Sequence, residues 1–299
     1  MKSIFEQNGG TYIKVGKYYI PNVLVPDTKK YTIGKYGRMH AKFIKENRPC
    51  IYSVKILNGT WLEYLQERDN DAKEMVDKII KDLLTAVKDF DGLQVDWELI
   101  PARDADNFLS FLKELKAGLG DKPLTVCVPA RIKTLEKDVY DYKKIGKIAD
   151  RIMIMAYDEH WTKGPAGSIA SYNWCEKIAN YAKTVWPANK YILGLPFYGR
   201  TWGSEPVTRA WAFNGMNRLA HENNVIKIER ENGIPHYTYK TEVTVTGWYE
   251  DAHSNVIRSR MYQSKGYNNI AFWRMGQEDC AVWEWIGNKT SGTKPLGSK

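Results

Sequence analysis

The 299-residue sequence has no long hydrophobic run. Its longest apolar stretches include NVLVP and IMIMAY, far short of the roughly 18 residues that a membrane-spanning helix needs. The start, MKSIFEQNGG, has neither an apolar core nor a small-residue cleavage site, so we expect no signal peptide. The chain as written is therefore expected to be cytoplasmic.

Cysteine is also scarce, with only Cys50, Cys127, Cys175 and Cys280. They form no CxxC pair and no histidine stands at metal-ligand spacing from them, which argues against a zinc site. Four cysteines are too few for a disulfide scaffold. Cys127 lies in the apolar run LTVCVPA, where we expect a buried thiol.

The composition is that of a globular protein, with 43% hydrophobic, 26% charged and 13% aromatic residues. Residues 1–88 contain 16 Lys and Arg against 10 Asp and Glu, a balance of +6 out of the total of +9. This asymmetry suggests two segments of different origin. A basic segment can approach nucleic acid or an anionic surface, but the interspersed acidic residues favour an ordinary solvated surface.

From about Asp89 onward, short apolar runs alternate with segments of helical periodicity, which predicts βα units around a parallel sheet. The predicted strands cover 92–98, 124–130, 151–157, 191–199 and 268–276, and helices are predicted over 104–120 and 172–185. Residues 203–255 exceed a crossover connection and contain the alternating run YTYKTEVTVTGWYE, so we expect an inserted hairpin region there. The pattern fits a barrel or a doubly wound sheet.

The first 88 residues lack this alternation. The run YYIPNVLVP predicts an extended piece, and IGKYGRMHAKFIKENRP predicts a basic helix that Pro49 limits. IYSVKILNGTW fits either a strand or the start of a helix. The run from Glu67 to Phe90 predicts an amphipathic helix, with Met75, Ile79, Leu83 and Val87 at spacing four. If this segment contributes strands to a barrel, we expect them at 17–26 and 50–57. At the other end of the chain, we expect the polar run TSGTKPLGSK to be a frayed tail.

The sharpest motif is the run DGLQVDWE, from Asp91 to Glu98. Residues two apart on a strand project to the same side, so Gln94, Asp96 and Glu98 should project together, with Glu98 near the carboxyl end. A carboxyl group beside a second carboxylate can remain a proton donor near neutral pH, as a general acid requires. The alternative is that these acids only bind loop backbone.

Further polar groups follow later predicted strands. Met155, Tyr157 and Asp158 end one strand, and Tyr198 and Arg200 end the next. Trp273, on the last strand, could be a sugar-stacking floor or a core residue. A tyrosine hydroxyl at a strand end can donate a hydrogen bond to a substrate oxygen.

Together these motifs resemble glycoside hydrolase family 18, the chitinase-like TIM barrels, over about residues 85–287. The family motif DxxDxDxE is matched by Asp91, Gln94, Asp96 and Glu98, MxYD by Met155, Tyr157 and Asp158, and the eighth-strand tryptophan by Trp273. LPFYGR and FWRMGQED resemble the bacterial branch that includes spore-cortex peptidoglycan hydrolases. The resemblance implies an α/β fold: a TIM (β/α)8-type barrel, incomplete, with strands 4–8 recognisable, a small insertion between strands 7 and 8, and a mostly helical segment over residues 1–84.

The resemblance also implies a retaining, substrate-assisted mechanism. Glu98 would protonate the glycosidic oxygen, the substrate's acetamide would attack the anomeric carbon, and Asp96 and Tyr157 would hold that acetamide. Trp273 would form the floor, and Gln94, Asp91, Met155, Asp158, Tyr198 and Arg200 would complete the substrate site. No metal or organic cofactor is implied.

The sequence departs from the family pattern at two points. Gln94 replaces the middle aspartate of the motif, so it can hydrogen-bond Asp96 but carries no charge. The serine-glycine-glycine motif of the third barrel strand is missing, and IYSVKILNG is a poor match for it.

The N-terminal segment resembles the small transposon-encoded protein TnpV, over roughly residues 1–82. The resemblance rests on MKSIFEQNGGTY, YYIPNVLVP, IGKYGRMHAKFIKENRPCIY and NGTWLEYLQERDNDAKEMVDKI. It implies a fusion that joins within the helix before Phe90, with domains at 1–84 and 85–287 and a tail at 288–299.

Three functions follow as hypotheses. The first is a glycosidase that cuts β-1,4 bonds next to N-acetylglucosamine in chitin-like or peptidoglycan chains, with that polysaccharide as the expected partner. The second is a non-catalytic carbohydrate-binding or inactive fusion product, because an incomplete barrel exposes strand edges. The third is a nucleic-acid-associated protein, although no DNA-binding motif is present. No membrane partner is expected.

Overall fold

A computed structural model describes residues 3–22, 30–203, 209–241 and 243–287. The chain divides into two compact units, Met1–Lys81 and Asp82–Lys299. The predicted tail and part of YYIPNVLVP lie outside the described residues.

The first unit is mostly helical. Its elements are α1 (Ile4–Gln7), β1 (Tyr12–Val15), β2 (Tyr18–Pro21), α2 (Lys35–Asn47), α3 (Pro49–Leu57) and the start of α4 (Trp61–Ala86). Strands β1 and β2 form an antiparallel hairpin. The Asp69 carboxylate accepts the backbone N–H groups of Gly34 and Gly37, which fixes the start of α2. Ile44, Trp61 and Leu65 form a small core.

The expectation that 50–57 could help the barrel as a strand is wrong, because these residues belong to helix α3. Pro49 occupies the first helical turn of α3, where its missing N–H costs no hydrogen bond. Of the extended piece over 17–26, residues 18–21 form β2, which pairs with β1 alone among the described strands.

The second unit contains the predicted βα succession. Its elements are β3 (Leu93–Val95), α5 (Ala105–Leu119), β4 (Leu124–Pro129), α6 (Tyr142–Ile145), β5 (Arg151–Met155), α7 (Tyr172–Val185), β6 (Tyr191–Pro196), β7 (Tyr198–Trp202), β8 (Arg209–Ala212), α8 (Phe213–Glu222), β9 (Glu229–Glu231), β10 (Ile234–Lys240), β11 (Thr244–Trp248), α9 (Ala252–Ser264), β12 (Ile270–Trp273) and α10 (Ala281–Gly287). Two short 3₁₀ turns cover Ala102–Asp104 and Ala188–Lys190.

Five of these strands form a curled parallel sheet in the order β12-β6-β5-β4-β3. This half-barrel confirms the predicted α/β fold with five recognisable strands. Each observed strand is shorter at its carboxyl end than its predicted run. The remaining residues lie in loops, except Tyr198 and Gly199, which begin β7. Within the described residues, β3 and β12 are the edge strands of this sheet.

The two faces of the sheet differ. Alternate residues such as Leu124, Val126 and Val128 are fully buried against the helices in the main core cluster. Because strand side chains alternate, Thr125 and Cys127 lie on the opposite, inner face. The inner face therefore leads to the carboxyl ends of the strands, where barrel active sites form.

The insertion between β6 and β12 is larger than a hairpin. It forms a five-stranded antiparallel sheet in the order β8-β7-β11-β10-β9, with helix α8 against it. The predicted hairpin is present as β10 and β11. The insertion begins earlier than the expected residue 203, because the chain leaves the parallel sheet after Pro196 and pairs as β7 with β11. None of the helices that the structure describes combines the length and apolar character needed to cross a bilayer.

Candidate active site

A cleft of about 420 Å³ lies at the carboxyl ends of the parallel strands. Its lining consists of Asp96, Glu98, Pro129, Ala130, Met155, Tyr157, Asp158, Trp174, Tyr198 and Trp273. Parallel pairing brings most of them to one edge of the sheet, as the pairs Pro129 with Met155 and Trp273 with Pro196 show. Trp174 comes from helix α7, and Tyr198 begins strand β7 of the insertion. The cleft therefore belongs wholly to the second unit.

The two acids follow directly after β3. Asp96 is the first residue beyond the strand and Glu98 lies two residues further, and both side chains are exposed. Gln94, on the strand itself, is also exposed. Within the described residues, β3 pairs with one strand, β4. The hydrogen bonds to β4 therefore hold the strand that leads to Asp96 and Glu98.

Tyr157 extends the same inner face after β5. Burial raises the pKa of its hydroxyl above the usual value, and the negative charges of Asp96 and Glu98 raise it further. The phenol therefore stays protonated across the physiological pH range and can donate a hydrogen bond.

Cys127 lies on β4 beside Asp96. Burial, with the charge of Asp96 and a hydrogen bond to it, raises the pKa of the Cys127 thiol to about 12. The thiol is thus a neutral donor to the Asp96 carboxylate rather than a nucleophile.

Gly194, on strand β6, lies close behind the ring of Tyr157, and this close approach is possible because residue 194 has no side chain. A Cβ at Gly194 would lie 2.8 Å from Met153 Cε, 2.9 Å from the carbonyl oxygen of Ile154 and 3.0 Å from Tyr157 Cε1. Glycine at this position therefore leaves room for the Tyr157 ring beside β6.

Asp158, Tyr198 and Arg200 form a linked group. The Tyr198 hydroxyl donates to Asp158 Oδ1 at 2.7 Å, and Arg200 Nη2 donates to the same oxygen at 2.8 Å. Burial, followed by the charge of Asp158, raises the pKa of Tyr198, which keeps it a donor. Arg200 Nη1 also donates to Thr162 Oγ1 at 3.0 Å. The group ties the loop after β5 to strand β7.

The loop from Asp158 to Ser171 is closed by a second set of bonds. Glu159 accepts the backbone N–H of Ser171 at 2.6 Å and its hydroxyl at 3.0 Å. The Ser171 hydroxyl in turn caps helix α7 by accepting from the N–H of Trp174. The cap places Trp174 in the first turn, where it lines the cleft.

The cleft brings together seven of the ten residues that the sequence singles out: Asp96, Glu98, Met155, Tyr157, Asp158, Tyr198 and Trp273. Asp91 precedes β3 and, at about 3.3 Å per residue, lies roughly 16 Å before Asp96 along the chain. Gln94 is on the inner face below the lining residues. Arg200 does not line the cleft but contacts two lining residues, Asp158 and the ring of Tyr198. The catalytic and binding roles of these residues stay predictions.

Sequence reasoning missed Pro129, Ala130 and Trp174 as lining residues. Pro129 and Ala130 end the predicted strand LTVCVPA. Their position at the carboxyl end of a strand could have identified them as lining residues. Trp174 lies in a predicted helix, whose sequence pattern does not show which of its ends is near the cleft. The Ser171 cap places Trp174 in the first turn of that helix. Across the part of the chain that the structure describes, no three His, Cys, Asp or Glu side chains are grouped as a metal site.

The chain matches the model of the glycosyl hydrolases family 18 over residues 26–278. It is 28% identical over 277 residues to the uncharacterized glycosylase YvbX of Bacillus subtilis (strain 168), an alignment that covers 88% of this chain and 78% of YvbX. The family match begins well before the parallel sheet, within the first unit.

Solved structures give the same result. The Bacillus cereus spore cortex-lytic enzyme SleL is similar with a TM-score of 0.66 and 26% identity, over 76% of this chain and 55% of that one. A chitinase from Chromobacterium violaceum ATCC 12472 is similar with a TM-score of 0.63 and 26% identity, over 70% and 69%. The chain thus spans about half the length of the SleL chain. Because the family model matches most of its length, the chain belongs to the glycosyl hydrolases of family 18.

Proposed function

We propose that the chain is a glycosidase that hydrolyses β-1,4 bonds next to N-acetylglucosamine in peptidoglycan or a chitin-like polymer. One observation carries the proposal: Glu98, Asp96, Tyr157 and Trp273 line a single cleft, although 175 residues separate the first motif from Trp273 in the chain. Membership of family 18 and the similarity to a cortex-lytic enzyme and a chitinase support this substrate class.

In the proposed reaction, Glu98 gives its proton to the glycosidic oxygen as the bond to the anomeric carbon breaks. The carbonyl oxygen of the substrate's 2-acetamido group attacks that carbon and forms a cyclic oxazolinium ion. Asp96 orients the acetamide nitrogen, and the protonated Tyr157 donates to the acetamide oxygen. Water then attacks the anomeric carbon and gives its proton to Glu98, which restores the acid and retains the configuration.

The test is Glu98→Gln, assayed by release of a fluorophore from a chito-oligosaccharide glycoside and of reducing ends from spore-cortex peptidoglycan. General acid catalysis contributes about 10²- to 10⁴-fold, so the variant should lose at least about 100-fold in kcat. Glu114→Gln, an exposed acid on α5, is the matched control and should retain full activity. Wild-type protein that releases neither product, or a fully active Glu98→Gln variant, would contradict the proposal.

A carbohydrate-binding role without turnover is the second candidate. It is favoured by the position of β3 at the edge of the sheet within the described residues, which leaves Asp96 and Glu98 exposed. This role predicts that wild type and Glu98→Gln bind chito-oligosaccharide equally and that neither releases reducing ends.

We also propose that residues 1–82, which resemble TnpV, have a different origin from the sheet. Their helices α2 and α3 and the hairpin β1–β2 support a separate origin, since no parallel strand is described among them. The start of the family match at residue 26 weighs against it.

A further inference from the structure

The turn that carries Glu98 is bridged by one side chain, that of Tyr140. The Tyr140 hydroxyl donates to the carbonyl oxygen of Trp97 at 2.8 Å and accepts the backbone N–H of Ile100 at 3.3 Å. Trp97 and Ile100 flank Glu98 and Leu99. The phenol therefore takes the place of the direct carbonyl-to-amide bond that often closes a four-residue turn.

The bridged turn contains a backbone conformation that needs support. Leu99 has a φ of 57°, in the left-handed region that residues other than glycine, asparagine and aspartate rarely adopt. Its side chain is 94% exposed, so packing of the leucine itself cannot hold the turn. The restraint must come from the neighbours. The Trp97 ring packs edge-on against Phe111 at 5.6 Å, and the two hydrogen bonds to Tyr140 hold the backbone on both sides of Leu99.

Tyr140 is itself firmly anchored. It is buried, and its ring packs edge-on against Phe108 with a centroid separation of 6.0 Å. Its backbone N–H donates to Asp138 Oδ1 at 3.1 Å. Asp138 is also bound by Arg131 at 2.8 and 3.1 Å, and Arg131 Nη1 donates to the carbonyl oxygen of Ala130 at 3.1 Å. The turn is thus tied to the loop after β4, a wall of the same cleft.

We propose that Tyr140 is a positioning residue for the general acid: its hydroxyl fixes the turn between Trp97 and Ile100 so that the Glu98 carboxyl faces the glycosidic oxygen. The inference rests on the proposed function, because it gives Glu98 the role of acid. Tyr140 does not line the cleft and has no part in binding the sugar. Its effect should therefore appear in proton transfer rather than in substrate affinity.

Tyr140→Phe is the test, because it removes the hydroxyl and keeps the ring on Phe108. Two substrates separate acid positioning from general damage. Chitotetraose has a sugar leaving group that must be protonated, whereas a 2,4-dinitrophenyl chito-oligosaccharide has a leaving group that departs with little help. We compare kcat/KM, because it reports cleavage of the glycosidic bond and not the later attack of water, in which Glu98 also takes part. We expect kcat/KM on chitotetraose to fall about tenfold or more, kcat/KM on the dinitrophenyl glycoside to fall less than about threefold, and KM on chitotetraose to stay within about twofold.

Tyr191→Phe is the matched control, since Tyr191 is also a buried phenol that donates to a backbone carbonyl, that of Ala182, at 2.9 Å, away from the cleft. It should leave the ratio of the two kcat/KM values unchanged. An independent readout is amide hydrogen exchange at Ile100, which should become about tenfold faster in Tyr140→Phe and stay unchanged in Tyr191→Phe.

Equal loss on both substrates, or no loss on either, overturns the inference. Unchanged exchange at Ile100 also overturns it, because the turn is then fixed without the hydroxyl. If wild type cleaves neither substrate, the proposed function fails. The exchange measurement still decides in that case whether Tyr140 fixes the turn.

Discussion

Cys127 has 4% of its surface exposed and lies beside Asp96 on the inner face of the parallel sheet. Cys175 is fully buried in α7, where burial raises the pKa of its thiol to about 11. Cys50 and Cys280 are exposed. At the scale of single residues, the four thiols therefore divide into two buried and two accessible groups.

Thiol titration at pH 8 should show this division. Cys50 and Cys280 should react promptly with a disulfide reagent, whereas Cys127 and Cys175 should react only in denaturant. The pKa values of about 12 and about 11 leave about one thiolate in 10⁴ and 10³ at that pH. Cys50→Ser and Cys280→Ser should each remove one prompt equivalent. A third prompt thiol in the native protein would contradict this assignment.

The same residues show what the sequence can reveal about the site. Asp96, Glu98 and Tyr157 follow from a period of two along predicted strands, because alternation and a shared carboxyl edge dictate where they project. Tyr140 does not follow from any such rule, since its hydroxyl reaches a carbonyl 43 residues away across a loop. Such a contact depends on the path of the loop after β4, and the sequence of that loop has no periodic pattern from which its path could be predicted.

At the scale of elements, helix α9 is held by a buried ion pair. The side chains of Arg258 and Glu250 are both 0% exposed, and Arg258 Nη2 donates to Glu250. Arg258 also donates to the carbonyl oxygens of Ala170 and Ser254, and the Ser254 hydroxyl donates to Glu250 at 2.7 Å. Arg258 thus joins α9 to the residue before the Ser171 cap.

Arg258→Met should reduce the free energy of unfolding by about 3–5 kcal/mol, because it leaves the Glu250 carboxylate buried without its partner. Denaturant unfolding followed by circular dichroism measures the change. Arg218→Met is the control: its pair with Glu222 on α8 is 65% and 57% exposed and should contribute less than about 1 kcal/mol. Equal effects of the two substitutions would contradict the role of the buried pair.

Elements differ in how well the sequence predicts them. Helix α7 matches its predicted range of 172–185, because Ser171 caps it and its apolar residues recur on one face. Helix α9 has no such pattern: it buries Ser254, Asn255, Arg258 and Ser259, which sequence rules place at the surface. Hydrophobic periodicity does not reveal a helix that buries polar side chains.

At the scale of the whole molecule, the cleft lies within the second unit alone. Calorimetry of the Glu98→Gln protein should therefore resolve two transitions, of which only one responds to chito-oligosaccharide. At a ligand concentration of 100 Kd the gain is about 2.7 kcal/mol, or roughly 5–10 °C for a unit of this size. The other transition should keep its Tm. A shift of both transitions, or of neither, would contradict this assignment of binding.

The organisation of the whole chain could be predicted from the sequence only in part. Charge asymmetry and the loss of βα alternation mark a change of organisation near residue 88, and the structure divides its units at 81 and 82. In the first unit, the helix predicted over IGKYGRMHAKFIKENRP is present as α2. The structure of IYSVKILNGTW did not follow, because this run suits a strand as well as a helix by local preference. Its outcome as α3 depends on Pro49 at the helix start and on contacts along the chain.

Helix α4 spans Trp61–Ala86, so the division between the units falls inside a regular helix. Because every residue of a helix has nearly the same dihedral angles, two segments that meet within a helix need no turn sequence between them. They must only keep the apolar side chains in phase at about 100° per residue. Met75, Ile79, Leu83 and Val87 keep that phase on both sides of the division. The separate origin proposed for residues 1–82 therefore requires no irregular backbone at the join, only a change in the side chains.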